Sequence, residues 1–149
     1  MRVLTLTGAL LLLTPQPSGC AGPPQPSGVG FNCETHFDFG SQARPGNGRI
    51  VGAAFTICVT PPQRHVLTVS LERRDTNAKW LIRAKETSST IPGVNFKVRK
   101  QVTVGTACSP GHWRVRARTV GRYKGKPYTA ENASIERTVS RRDCERRLP

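Results

Sequence analysis

The chain has 149 residues, of which 23 are Lys or Arg and only 9 are Asp or Glu, giving a formal charge of +14 at neutral pH. This length suits one domain with one core and argues against two. The charge excess points to anionic partners, whereas an aromatic content of 6% leaves few rings for stacking bases and makes nucleic acid an unlikely ligand.

The N-terminus reads as a targeting segment, to be set aside before any fold is considered. Arg2 supplies a small positive region, and the uncharged run Val3 to Leu13 suits a signal h-region but falls well short of the ~20 residues of a membrane-spanning helix. Behind it, Ser18-Gly19 directly before Cys20 looks like the lipobox at which bacterial lipoproteins are cleaved and acylated, although Pro17 stands where that pattern has an aliphatic residue. The alternative is ordinary signal cleavage after Ala21 or Gly22, with Cys20 discarded. Both readings export the protein. The expected division is a signal peptide over 1–20, a Pro/Gly-rich tether over 21–30, a folded domain over 31–144 and a basic tail over 145–149.

Within the domain the apolar periodicity is that of strands. Phe31 to Phe39 alternates, with Cys33 on the side of Phe31, Phe37 and Phe39; Arg49 to Thr60 is rich in β-branched residues and stops at Pro61-Pro62. Its inward face is expected to be Val51, Ala53, Phe55, Ile57 and Val59. His65 to Arg73 alternates around Leu67, Val69 and Leu71. Lys79 to Lys85 offers Trp80, Ile82 and Ala84 on one face, and Phe96 to Val104 offers Phe96, Val98, Val102 and Val104. Trp113 to Thr119 and Tyr128 to Val139 complete about seven strands. The spacing predicts an all-β immunoglobulin- or fibronectin-like sandwich, with a small barrel as the alternative.

Cys20 aside, four cysteines remain, the even number that a disulfide framework needs in an oxidising compartment. Facing residues of an antiparallel hairpin have a constant index sum. Cys33 and Cys58 are centred on the Arg44 to Gly48 turn sequence, and Cys108 and Cys144 on Lys124 to Pro127, so each couple can face across a pair of strands. Pairings of 58 with 108 and 33 with 144 remain open. The expected inward face of the second strand leaves Cys58 on its other side, so a 33/58 bond would require a bulge, with Gly52 as its site.

Signal segment, tether, a cysteine on the first strand, another ending the second, and the stretch Cys108-Ser109-Pro110-Gly111-His112-Trp113-Arg114-Val115 with a last cysteine near the chain end together resemble small secreted or lipid-anchored immunoglobulin-like sandwich proteins of actinobacteria and their phages. The resemblance covers Phe31 to Cys144 and implies a fold, not an activity. A predominance of Arg over Lys, 17 to 6, agrees with a high-GC source.

Arg114, Arg116 and Arg118 alternate along one expected strand and therefore emerge on one face, and the following turn adds Arg122, Lys124 and Lys126. If the last two strands pair, Arg137, Arg141, Arg142, Arg146 and Arg147 should merge with them, with Tyr123 and Tyr128 at the rim. Such a face attracts polyanions, and the expected partner is an anionic envelope surface or an extracellular protein, with membrane attachment through acylated Cys20. A solvated face without a specific ligand is the bland alternative. No catalytic constellation is expected: His36, His65 and His112 lie far apart without metal-ligand spacing, and there is no nucleophile elbow or phosphate loop. No metal or cofactor is expected, and the anticipated role is a non-catalytic binding module or, failing that, a freely secreted effector or inhibitor acting through the segment Ser88 to Asn95.

Overall fold

A computed structural model describes residues 33–94 and 99–148. The expected signal peptide, Cys20, the tether, Phe31 and the strand positions Phe96 and Val98 lie outside them. The described chain is all-β, with nine strands and one short helix: β1 (Cys33–Phe37), β2 (Arg44–Gly46), β3 (Arg49–Cys58), β4 (Arg64–Arg74), β5 (Trp80–Ser88), β6 (Val102–Ala107), β7 (Gly111–Tyr123), β8 (Lys126–Ala133), β9 (Arg137–Val139) and α1 (Arg141–Glu145).

The strands form two antiparallel sheets. In the first, β3 carries β1 and β2 in succession along one edge and β6 along the other. In the second the order is β5-β4-β7, with β8 and then β9 pairing along the far edge of β7. Nine strands replace the expected seven for two local reasons. Arg44–Gly46 pairs with β3 through a two-residue turn at Asn47-Gly48, both with positive φ as a type I′ turn requires. The expected last strand breaks at Ser134, whose Oγ accepts the Val115 N–H in place of a backbone carbonyl, so that β9 resumes only at Arg137.

The core lies between the sheets. Leu67, Val69 and Leu71 of β4 and Trp113, Val115 and Ala117 of β7 meet Ile50 and Ala54 of β3 and Val102 and Val104 of β6, all at most 7% exposed. Trp113 is the largest of these, and its indole N–H donates to the Ser109 carbonyl at 2.9 Å, which satisfies the one polar atom of a buried ring.

Two expected faces are corrected. On β3 the core side is Ile50, Gly52, Ala54 and Cys58, while Val59 is 80% exposed. Cys33 therefore lies directly opposite Cys58 in an unbroken register, and no bulge at Gly52 is needed. On β5 a register shift leaves Arg83 without a partner: Ala84 faces Leu71 and the core, but Ile82 and Trp80 face Glu72 and Arg74 on the outer side. Trp80 and Ile82 thus do not share the face of Ala84.

Both expected disulfides form, Cys33–Cys58 and Cys108–Cys144. The second does not bridge a hairpin as the index sum suggested, because Cys144 sits on α1. That helix starts at Ser140, whose side chain accepts the Asp143 N–H while the Asp143 carboxylate accepts the Ser140 N–H. Backbone bonds from Asn47 to the Arg146 carbonyl and from Gly48 to the Cys144 carbonyl hold α1 against the β2–β3 turn. The two bonds consequently clamp opposite ends of the sandwich, and they suit an oxidising environment.

Candidate functional site

Strand alternation places Arg114, Arg116, Arg118 and Arg122 on the outer face of β7, since their odd-numbered neighbours Trp113, Val115 and Ala117 fill the core. The expected basic row therefore exists, but its members are not equivalent. Arg114 lies opposite Glu72 of β4, and its Nε donates to the carboxylate at 2.7 Å. Arg116 reaches the other Glu72 oxygen at 3.3 Å and also donates to Glu131 of β8. These carboxylates hold the Arg116 guanidinium above its already high ordinary pKa. Arg118 faces Glu131 in register, although that carboxylate is turned to Arg116.

Glu72 is 1% exposed, which is unusual for a carboxylate on the outer side of a sheet. The arginine bonded to it is itself stacked: the Arg114 guanidinium carbon lies 4.2 Å from the centroid of the Trp80 ring, with that of Arg74 5.9 Å away. The bulge at Arg83 is what brings Trp80 to this side. The upper part of the row is thus a closed, internally neutralised array and not an open cationic strip.

Farther along, the balance changes. Arg122 faces Arg64 of β4 directly in register, two like charges with no carboxylate bonded to either among the described residues. Lys124 and Lys126 flank the β7–β8 turn, where Lys124 and Gly125 take positive φ in a second two-residue turn, and Lys124 Nζ lies 5.4 Å from the Tyr123 ring centroid. Gln63 fixes this turn to the start of β4, donating its N–H to the Arg122 carbonyl and accepting the Gly125 N–H on its side-chain oxygen. Arg64, Arg122, Lys124 and Lys126 are all exposed. Arg64 was missed by the sequence reading because it stands alone after Pro61-Pro62-Gln63; only the pairing of β4 with β7 reveals it.

The expected merger with the C-terminal arginines does not occur. Arg137 faces Trp113, with Nη1 3.5 Å from the Ala43 carbonyl, and Arg141, Arg142, Arg146 and Arg147 lie on or beyond α1 at the opposite end of the sandwich. Tyr128 is not at the rim of the face either, since its register partner Gly121 places it on the inner side against His65.

That inner corner holds two titratable groups that burial shifts away from their ordinary values. His65 is 2% exposed; its Nδ1 lies 2.8 Å from Tyr128 Oη, and nothing bonds Nε2 among the described residues. Burial pushes the imidazole down to about 4 and the Tyr128 phenol up to about 12. His65 lines a recess with Thr56, Leu67, Ser88, Thr90 and Lys100 that has room for about one water. The segment expected to protrude, from Ser88, is tied down where it is described: Pro92 is buried and the Gly93 carbonyl accepts the Cys58 N–H. Among the described residues there is no group of three or more His, Cys, Asp or Glu arranged to hold a metal ion, and no helix is long and apolar enough to cross a membrane.

Compared with known protein families and with curated proteins, the chain matches none.

Proposed function

We propose that the chain is an exported, non-catalytic β-sandwich module that works at the cell envelope, held there by acylation of Cys20, and that it engages an anionic surface through its cations. The observation that supports this most directly is the set Arg64, Arg122, Lys124 and Lys126, presented on paired strands and a tight turn with no carboxylate bonded to them among the described residues. Like charges directly opposite on neighbouring strands oppose pairing, and an anion between them removes that cost. The two disulfides support the same setting, since such bonds persist outside the cytoplasm.

The reading is tested by retention of the purified full chain on anionic supports, namely phosphocellulose and vesicles containing phosphatidylglycerol, across a salt series. Retention that declines steeply with salt is expected, because exposed charges are screened over ~10 Å at 0.1 M. Elution at the lowest salt from every support would overturn it. Mass spectrometry of the mature N-terminus tests the anchor: a diacylated Cys20 is expected, and a free terminus at Gly22 or Pro23 would remove it.

A further inference from the structure

The sandwich has two ends, and the chain outside the domain joins it at one of them. Cys33, the first described residue, lies opposite Cys58 at the C-terminal end of β3. From Cys58, residues 59–63 lead to Arg64 at the start of β4, a path of at most ~20 Å, and Arg64 pairs with Arg122 beside the β7–β8 turn. The point where residues 1–32 join, the Arg64–Arg122 couple and the Lys124/Lys126 turn therefore occupy the same end. The Asn47-Gly48 turn, the Cys108–Cys144 bond and α1 occupy the other, ~30 Å away along β3.

Deepening the envelope reading and resting on it, we propose that this end is a bilayer-docking surface: Arg64, Arg122, Lys124 and Lys126 contact the anionic headgroups of the membrane in which the N-terminal lipid is inserted. An anchor at Cys20 lies thirteen residues before Cys33, so the Cys33 end is the part of the domain most directly tethered to the bilayer. That end is also where cations are left over. Lys100, which lines the His65 recess beside this end, is exposed and adds to the charge. The carboxylate nearest the junction in sequence, Glu34, belongs to the other sheet, with His36 Nε2 3.4 Å from it. A diacyl anchor already holds the chain at the membrane, and a basic patch of this size adds an electrostatic attachment that fixes which end of the domain lies against the headgroups.

The experiment uses the full, unacylated chain, so that only the patch contributes, and measures partitioning onto vesicles of phosphatidylcholine with or without phosphatidylglycerol. Each cation at the surface contributes about fivefold. The variant Arg64→Gln/Arg122→Gln/Lys124→Gln/Lys126→Gln should partition two to three orders of magnitude less than the parent on anionic vesicles, and Lys124→Gln/Lys126→Gln alone, confined to the turn, about 25-fold less. Arg141→Gln/Arg142→Gln/Arg146→Gln/Arg147→Gln, which removes the same charge from the opposite end, should retain parental binding. Equal losses from the two quadruple variants, or no loss from the first, would overturn the proposal while leaving the general affinity for anions intact. Parental retention on phosphocellulose without binding to anionic vesicles would also overturn it, in favour of a soluble or wall polyanion. No retention on either support would instead remove the envelope reading on which it rests.

Discussion

Glu72 of β4 and Arg114 of β7 face each other across the outer side of the second sheet, joined by a 2.7 Å hydrogen bond beneath the Trp80 ring. This carboxylate compensates two arginines of the row that sequence alone marks as a uniform basic strip. Replacing it with alanine leaves Arg114 and Arg116 to find solvent, which they can do because their side chains are 24% and 41% exposed. Glu72→Ala is expected to lower stability by about 1–3 kcal/mol and, unlike an ordinary destabilising change, to raise the salt concentration needed for elution from phosphocellulose. Urea unfolding and the elution profile together check this; unchanged elution would show that Arg114 and Arg116 take no part in anion binding even when freed.

His65 supplies a pH dependence of defined sign. Its folded-state pKa is lowered to about 4 from an ordinary value near 6.5, so the unfolded chain takes up a proton first as the solution is acidified. The stability this group contributes is complete above about pH 6.5 and is lost progressively down to about pH 4, a change of roughly 3 kcal/mol. Stability curves for the parent and His65→Gln should differ in slope over that interval and run parallel above it. Parallel curves throughout would contradict the burial of His65.

The Tyr128 phenol behaves in the mirror sense. Its folded pKa is raised to about 12, so its contribution is present below about pH 10 and is lost as pH rises from there toward 12. Tyr128→Phe should flatten the alkaline limb of the stability curve, as followed by phenolate absorbance near 295 nm during titration.

Gly121 lies between His65 and Tyr128 in register, and a Cβ there would overlap the Arg64 carbonyl oxygen and the Tyr128 ring. Gly121→Ala is expected to destabilise by about 1–3 kcal/mol, because the obstruction is partly backbone and cannot rotate away. Thermal unfolding reads the effect, and Gly125→Ala offers a contrast: its Cβ meets nothing, so any cost there comes from its positive φ.

Each disulfide should contribute separately. Sequence separations of 25 and 36 correspond to about 3.5 and about 4 kcal/mol of lost unfolded-state entropy. Peptide mapping without reduction should recover 33 linked to 58 and 108 to 144. Loss of Cys108–Cys144 by double serine replacement is expected to release protection of amides in α1 before it affects β4 or β7, as hydrogen exchange would report.

Much of the fold was legible because its signals were local. Alternation identified the inward face of β4 and the outward row of Arg114, Arg116 and Arg118, and the index sum of Cys33 and Cys58 matched a real register. The errors arose where a second face was also apolar or where one residue was inserted. On β3, Ala53 and Phe55 are buried as well as Ile50 and Ala54, since Arg99 and His36 cover the Phe55 ring, and a period of two cannot choose between equally apolar sides. On β5, one unpaired arginine reversed the face of Trp80. Of the candidate site, the alternation of Arg114 to Arg122 was readable in one strand, but neutralisation by Glu72 and Glu131 and the opposition of Arg64 to Arg122 depend on which strands are neighbours. The Glu72 contacts join residues 42 and 44 apart in sequence and the Glu131 contact residues 15 apart, and no local pattern records them.

The disulfides also determine how the chain comes apart. Cys33–Cys58 closes within the first five strands and Cys108–Cys144 within the last four, so among the described residues no disulfide joins the two sets across the connection between β5 and β6. Yet β6 completes the sheet of β3, and β7 that of β4. A single proteolytic nick in that connection therefore produces two separately cross-linked fragments that migrate apart in detergent without any reductant, but that remain interleaved as one particle in native buffer.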